Sequence, residues 1–279
     1  MSTLWDAASF DAFERNGWAG RGEAYGNGFA LLTAGTVAPL LDAAEVAAGD
    51  AVLDVGTGPG PVAVAARARG ASVTAVDASP EMAELARAAC PDADVRVAVL
   101  PELPFADASF DAVVGNFLIN HLGDAAAGLA ELLRVLRPGG RIALTCWERT
   151  SMRATAVFGE AVTAAGIPYP DDLPSSGPFL ADAEDRAQAF GKLLADAGFE
   201  DARARHLRWL HRVDPDAWWA SVVTGTPLTG SLIARQHPDV TAVIKSHYDT
   251  GVTPYAEPGT GLVALPADAV LASGHRPVN

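Results

Sequence analysis

Short apolar runs alternate with segments of helical periodicity in the first half of the chain. Residues 51–55, 72–77 and 95–99 are mainly apolar and short, so each predicts a strand. Between them, the pattern predicts one helix from about residue 62 and a second helix that Ser79 caps and Pro80 opens. Strands that alternate with helices in this way predict βαβ units and an α/β fold with a parallel sheet.

A glycine-rich turn joins the first strand to its helix. Gly56, Gly58 and Gly60 occupy alternate positions just after Asp54. Such a turn opens backbone N–H groups and the positive end of a helix dipole to a ligand, which glycine lets approach closely. Asp77 ends the second strand 17 residues after Gly60 (77 − 60 = 17), near the spacing of roughly 20 that places an acid on a nucleotide ribose. We therefore expect Gly58 and Asp77 to meet at one edge of the sheet.

The composition of this turn discriminates between nucleotides. Pro61 stands where the dinucleotide fingerprint requires a third small residue, so NAD fits poorly. No Gly-x-x-x-x-Gly-Lys-Ser/Thr segment occurs, which excludes a P-loop, and the turn has no basic side chain for a phosphate. An acid followed by Gly-x-Gly-x-Gly instead resembles the first motif of the class I S-adenosylmethionine (SAM)-dependent methyltransferases. Their cofactor has a ribose and a zwitterionic methionine tail but no phosphate.

Further motifs extend this resemblance over roughly residues 45–148. They are Leu103-Pro-Phe105, the segment 107–116 that resembles the family's fourth strand, and the Arg137-Pro-Gly-Gly turn before a fifth strand at 137–147. The resemblance implies a Rossmann-like, seven-stranded, mostly parallel sheet with helices on both faces. It also implies an N-terminal helical lid and a last strand antiparallel to the others, and the sequence pattern adds a helical insertion near the C-terminus.

The resemblance also implies which residues bind SAM. Asp77 would accept the ribose hydroxyls, and Ala78 and Met82 would sandwich the adenine, although an ordinary core position is the alternative for Met82. Val99 replaces the Asp that the family places against the adenine amino group, which leaves the Leu100 N–H as the donor. The implied cofactor-binding residues are Asp54, Gly56, Thr57, Gly58, Gly60, Asp77, Ala78, Met82, Val99, Leu100, Asn116 and Phe117.

Composition narrows the class of partner. The chain has 279 residues and a formal net charge of −14, which disfavours nucleic acids and anionic membranes and favours a small-molecule substrate. Two cysteines, Cys90 and Cys146, indicate no disulfide framework, so a reducing cytoplasm is expected. No apolar run reaches about 18 residues, and no histidine pair has metal-ligand spacing, so neither a membrane span nor a metal is predicted.

The whole chain, 1–279, is predicted to form a single methyltransferase domain with three parts. Residues 1–44 form the lid, 45–150 the SAM-binding core, and 151–279 a substrate-side half with a helical cap around 214–255. In that half the pattern predicts helices at 154–165 and 182–197, a proline-rich loop at 167–178, a strand at 199–213, and two helices opening at Asp214 and Asp239. A closing strand lies within 261–274. Trp218 and Trp219 either wall an apolar pocket or pack the insertion.

Catalysis of methyl transfer rests mainly on proximity and orientation, and a general base helps where the acceptor is a hydroxyl. His121 follows the fourth strand, and an imidazole pKa near 6.5 suits a base. A histidine bonded to backbone near the cofactor is the alternative. Tyr25 is the second catalytic candidate. Tyr25 and Trp18 either line the site or pack on the core.

The function that follows is a SAM-dependent methyltransferase for a small, apolar or aromatic molecule such as a secondary metabolite. The alternative is a methyltransferase-fold enzyme that binds SAM but catalyses a non-methylating reaction such as a cyclisation. An NAD-dependent reductase and a non-catalytic binding role rank below these. A monomer or a homodimer is expected.

Overall fold

Seven strands of the computed structural model form one sheet, and helices cover both of its faces. The structure describes residues 6–148, 151–174, 179–180 and 183–278. The strands are β1 (Ala51–Val55), β2 (Ser72–Asp77), β3 (Asp94–Val97), β4 (Phe110–Gly115), β5 (Leu136–Trp147), β6 (Glu200–Val213) and β7 (Val263–His275). The helices of this part of the chain are α1 (Ala7–Trp18), α2 (Gly22–Asn27), α3 (Phe29–Thr33), α4 (Val37–Ala43), α5 (Pro61–Ala68), α6 (Pro80–Ala89), α7 (Ala125–Val135), α8 (Arg153–Ala164), α9 (Arg186–Asp196), α10 (Pro215–Gly225), α11 (Leu228–Ala234) and α12 (Pro238–Val252).

The strand order places a ligand crevice in the middle of the sheet. The strands lie in the order β3-β2-β1-β4-β5-β7-β6. Neighbours among β1 to β5 are parallel, whereas β7 is antiparallel to both β5 and β6. The predicted seven-stranded, mostly parallel α/β fold with an antiparallel last strand is therefore confirmed. Because the strand order reverses between β1 and β4, the carboxyl ends of these strands border the crevice in which open α/β sheets bind ligands.

Two apolar cores fill the space between the sheet and its covering helices. On one face α4, α5 and α6 pack on residues such as Val52 and Ala112. On the other face α7 and α9 pack on neighbouring residues such as Leu53 and Val113. Adjacent side chains point to opposite faces of a strand, so a strand buried on both faces reads as a continuous apolar run.

A third core joins the N-terminal helices to the helices between β6 and β7. Phe29 of α3 shares this core with Trp218 of α10 and Tyr248 of α12. Trp218 is fully buried and its Nε1–H donates to the Ala154 carbonyl at 2.8 Å. Trp219 stacks on Phe158 with the ring centroids 5.7 Å apart. Of the two predicted roles for these tryptophans, the structure therefore shows the packing role.

The cap contains one helix more than predicted. Two helices were expected between residues 214 and 255, and α11 is a third. A Cβ atom at Gly230 would lie 2.5 Å from the Val223 carbonyl oxygen, so glycine lets α11 approach α10 closely. That requirement comes from tertiary packing, which is why the local pattern did not predict the helix.

One glycine-containing segment also differs from its prediction. The predicted turn at 137–140 lies inside β5, where the pairing with β4 jumps from Phe110–Leu136 to Ala112–Arg141. These residues therefore form an irregularity within the strand rather than a turn before it.

The remaining predicted elements agree with the structure apart from their ends. The Asp185 carboxylate accepts the Gln188 N–H at 2.9 Å and caps α9, so this helix begins later than predicted. The predicted start of that helix at residue 182 and the last four residues of the predicted loop, 175–178, lie outside the described residues. None of the described helices is long and apolar enough to cross a membrane.

Candidate functional site

The glycine-rich turn after β1 has a backbone conformation that glycine adopts without strain. Gly56, Gly58 and Gly60 have φ angles of 69°, 55° and 93°, all in the left-handed region. Asp77 at the end of β2 holds this turn, because its Oδ2 accepts the Gly58 N–H at 2.8 Å and its Oδ1 accepts the Ser79 N–H at 2.9 Å. The predicted meeting of Gly58 and Asp77 is confirmed.

A cavity of about 450 Å³ opens beside this turn, and we name it the turn cavity. Ligand pockets in proteins usually have volumes of about 300–1,000 Å³. The predicted site residues that line it are Tyr25, Gly56, Gly58, Asp77, Ala78, Met82, Val99, Leu100, Asn116, Phe117 and His121. Most of the predicted site thus surrounds one cavity.

Three residues predicted to bind the cofactor, Asp54, Thr57 and Gly60, are absent from this lining. Asp54 is fully buried, and its Oδ2 accepts the Thr57 hydroxyl at 2.6 Å. Burial raises the pKa of Asp54 to about 7, and its Oδ1 has no hydrogen-bond partner among the described residues. A Cβ atom at Gly60 would lie 3.1 Å from the Cα of Ala86, so this glycine lets α5 approach α6. These residues lie behind the cavity wall and support the turn, so direct contact of the three with the cofactor stays a prediction.

The charged side chains on the turn cavity are mostly acidic. Asp11, Glu14, Asp77 and Glu81 line it, and Arg15 is the only Lys or Arg among its lining residues. This wall repels a pyrophosphate and attracts a sulfonium or an ammonium group. A Cβ atom at Gly58 would meet only the Tyr25 ring, at 3.9 Å. The acidic wall therefore fits SAM better than it fits NAD.

Met82 of α6 and residues 98–100 give the turn cavity an apolar stretch of wall. Met82 is 4% exposed, and it both belongs to the core and lines the cavity. Val99 bridges to Glu102 in the following turn, and no described residue accepts the Leu100 N–H. A flat ring bound between Met82 and Val99 would have the Leu100 N–H as a hydrogen-bond donor.

Asn116 and Phe117 form the wall at the end of β4. The Asn116 Oδ1 accepts the hydroxyls of Thr36 and Thr145 at 2.7 and 2.8 Å, so this side chain is held by the protein. The Phe117 N–H donates to the Thr145 Oγ1 at 2.8 Å, and the Phe117 ring stacks on Trp147 with centroids 3.7 Å apart. These bonds hold Phe117 at a φ of 58°, a conformation that non-glycine residues seldom adopt.

A second cavity of about 710 Å³ adjoins the first, and we name it the aromatic cavity. Ten of the chain's twenty Phe, Trp and Tyr residues line it. The residues that line both cavities are Glu14, Trp18, Tyr25, Phe117 and His121. Trp18 and Tyr25 thus line the site, as one of the two predicted interpretations had it. Burial raises the pKa of Tyr25 to about 12, so its phenol stays protonated at neutral pH.

Polar side chains also line the aromatic cavity, among them Arg186 and Asn120. Arg186 is held by backbone, because its Nε donates to the Trp147 carbonyl at 3.1 Å and its Nη1 donates to the Leu180 carbonyl at 2.7 Å. Asn120 lines the same cavity, and its buried Oδ1 has no hydrogen-bond partner among the described residues. Its carboxamide is therefore available to a ligand.

His121 lies where the two cavities meet, and a carboxylate rather than backbone holds its ring. Its Nδ1 lies 2.8 Å from the Glu14 Oε2, and the Trp18 indole N–H donates to the same oxygen at 2.9 Å. Desolvation lowers the pKa of His121, but the charge and hydrogen bond of Glu14, together with the charge of Asp77, raise it overall.

Sequence reasoning missed the carboxylates that attach the N-terminal helices to the core. The Asp11 Oδ1 accepts the Gly123 N–H at 2.7 Å, next to the contact between Glu14 and His121. The Glu81 carboxylate accepts the N–H groups of Gly20 and Gly22 at 3.0 and 3.1 Å. The sequence feature that could have indicated these attachments is the spacing of Asp11 and Glu14, which lie three residues apart on one face of a helix.

Comparison with known proteins assigns the region that holds this site. A family model described as "Methyltransferase domain" matches residues 53–144, which include the glycine-rich turn, β2, β4 and most of β5. A demethylmenaquinone methyltransferase of Chlorobaculum parvum is 32% identical over 168 residues, covering 54% of this chain and 66% of that protein. The ubiquinone/menaquinone biosynthesis C-methyltransferase UbiE of Geotalea daltonii is 42% identical over 102 residues, covering 33% of this chain and 43% of that protein. The chain belongs to the class I SAM-dependent methyltransferase family.

Solved structures agree with this methyltransferase fold. The YcgJ protein of Bacillus subtilis has a TM-score of 0.54 at 21% identity, covering 87% of this chain and 98% of that one. A Haemonchus contortus phosphoethanolamine N-methyltransferase 2, in complex with phosphomonomethylethanolamine and S-adenosylhomocysteine, has a TM-score of 0.52 at 18% identity and covers 87% of this chain and 52% of that one. At these identities the likeness shows the fold alone. The aligned part spans less than two thirds of the length of the curated relatives.

Proposed function

We propose that this protein transfers the methyl group of SAM to a small, largely apolar ring compound that carries a hydroxyl group. The observation that supports this most directly is the pair of adjoining cavities with His121 between them. One cavity has the acid and the glycine turn that suit SAM, and the other has an aromatic wall that suits a ring. The relatives named for menaquinone synthesis are consistent with a ring acceptor.

The residues that line the two cavities suggest a role for each of the three parts of the chain. Residues 45–150 would hold SAM, with Asp77 on the ribose hydroxyls and the glycine-rich turn on the methionine end. Residues 1–44 would cover both ligands through α1 and α2, and residues 151–279 would complete the acceptor cavity. The three helices within 214–255 then act as a cap that holds α2 and α3 in place.

The chain's residues orient the acceptor and supply one proton acceptor. When bound, SAM would supply an electrophilic methyl group on a positively charged sulfur, which would keep the C–S electron pair as a neutral thioether. The aromatic wall orients the acceptor and Asn120 binds a polar substituent, so the hydroxyl oxygen faces the shared wall. His121 Nε2 takes the hydroxyl proton, while the oxygen uses its electron pair for the new bond to carbon.

Mass analysis of the product tests this function. Incubation of the full chain with SAM and a panel of phenols, quinols and enols should yield S-adenosylhomocysteine and a product that has gained one methyl group. Asn120→Leu should raise the KM for the acceptor about tenfold, because one buried hydrogen bond is lost, and should leave the affinity for SAM unchanged. A product with the mass of its substrate would favour the non-methylating alternative.

A further inference from the structure

The ring of His121 is held in one tautomer by a residue of the N-terminal helix. An ionised carboxylate can only accept hydrogen bonds, so a neutral His121 must donate its Nδ1–H to Glu14 across the 2.8 Å between them. The lone pair is then on Nε2, which has no hydrogen-bond partner among the described residues. The ring that carries it lines both cavities.

The Glu14 carboxylate is itself fixed by a second donor. The Trp18 indole N–H binds the same Oε2 at 2.9 Å, and the Trp18 ring meets the His121 ring edge-on with centroids 5.5 Å apart. Glu14 and Trp18 are four residues apart on α1, so one face of this helix presents both groups. The Glu14 side chain is 14% exposed, which limits the screening of its charge by water.

We propose that Glu14 is a positioning residue that holds His121 as an Nε2 proton acceptor, so that the base is complete only when α1 covers the two cavities. Glu14 does not touch the acceptor in this proposal and acts through His121. The proposal rests on the proposed function only for the role of the base in turnover. The tautomer and the contact stand on the geometry alone.

The charged groups around His121 determine how the loss of the Glu14 charge should change the pKa of His121. From α1, Glu14 contacts the ring and Asp11 binds the N–H of Gly123; from β2, the Asp77 charge also favours the protonated ring. Arg15 and Glu81 line the turn cavity with it, Glu148 lines the aromatic cavity, and the Tyr25 phenol from α2 is neutral at physiological pH. Removal of the Glu14 charge should therefore lower the pKa of His121, since desolvation of the ring remains.

The test compares Glu14→Gln with Asp11→Asn. Both substitutions remove one charge from α1 and keep the side-chain shape, but only the first touches His121. NMR titration of the His121 ring in the protein without ligands should show the Nδ1–H tautomer in the wild type and a pKa about one unit lower in Glu14→Gln. Asp11→Asn should leave the pKa of His121 unchanged.

The kinetic result should match the titration. With an accepted substrate, Glu14→Gln should lower kcat at least about tenfold and move the acidic limb of the pH profile to lower pH. A merely structural role would lower kcat without moving that limb. If the wild type methylates its acceptor and Glu14→Gln keeps both kcat and the pH profile, the proposal fails while the proposed function stands.

The NMR titration also tests the role of Glu14 when the proposed function fails. If the wild type transfers no methyl group, the proposed function fails, and the NMR result still decides whether Glu14 sets the tautomer. An Nε2–H tautomer in the wild type, or an equal pKa in the wild type and Glu14→Gln, overturns the proposal. Should Glu14→Gln fail to fold, Trp18→Phe provides the test: it removes the competing donor on Oε2 and should raise the pKa of His121.

Discussion

At the scale of single residues, the buried acid beneath the glycine-rich turn makes a specific prediction about pH. Burial raises the pKa of Asp54 to about 7, whereas an unfolded Asp titrates near 3.9. The folded protein therefore binds this proton more tightly than the unfolded chain does. The resulting stabilisation is full below about pH 4 and is lost as the pH rises through about 7.

Asp54→Asn should remove this dependence. Urea unfolding at several pH values should show that the free energy of unfolding of the wild type falls, relative to the variant, by up to about 4 kcal/mol between pH 4 and 7. The comparison with the variant cancels the other acids, some of which have lowered pKa values and act with the opposite sign, such as Asp111 and Glu131. Parallel curves for both proteins would show that Asp54 titrates normally.

At the scale of elements, one glycine contact decides how closely the N-terminal helices approach the cap. A Cβ atom at Gly28, between α2 and α3, would lie 2.1 Å from the Cβ of Ser221 in α10. Gly28→Ala should therefore push these helices apart and cost about 1–3 kcal/mol. Because Tyr25 and Phe29 line the aromatic cavity from the same segment, affinity for the acceptor should fall as well.

Gly251 offers a matched control within the cap. It lies inside α12, and a Cβ atom there would meet nothing within 4 Å. Gly251→Ala should stabilise the protein by about 0.5–1 kcal/mol, because alanine favours the helix. Thermal and urea unfolding of the two variants should thus shift in opposite directions, and a stable Gly28→Ala protein would contradict the tight contact.

Local geometry explains which features could be predicted from the sequence. A βαβ unit brings the end of β1 beside the end of β2, so the pairing of Gly58 with Asp77 follows from sequence spacing. Glu14 and His121 are 107 residues apart, and only the packing of α1 over the sheet brings them together. The same reason hid α11 and the second role of Gly60, whose missing Cβ lets α5 approach α6 in addition to allowing the turn.

At the scale of the whole molecule, the N-terminal helices and the cap form one layer over the carboxyl end of the sheet. Arg21 joins the two, since its Nη1 donates to the Thr224 carbonyl at 2.7 Å and its Nη2 donates to the Ser231 hydroxyl at 3.3 Å. The N-terminal helices line both cavities, and residues of the cap line the aromatic cavity. The central claim is that SAM occupies the turn cavity with its ribose on Asp77.

Calorimetric titration with SAM tests that claim most directly, on the wild type and on Asp77→Ala. Glu84→Ala is the matched control, because Glu84 is an exposed acid of α6 with no partner among the described residues. The wild type and Glu84→Ala should bind one SAM per chain and no NADH. Asp77→Ala should bind SAM at least about tenfold more weakly, since two buried hydrogen bonds to the ribose are lost. Equal affinity for SAM in a folded Asp77→Ala protein, or tight binding of NADH, would contradict the account.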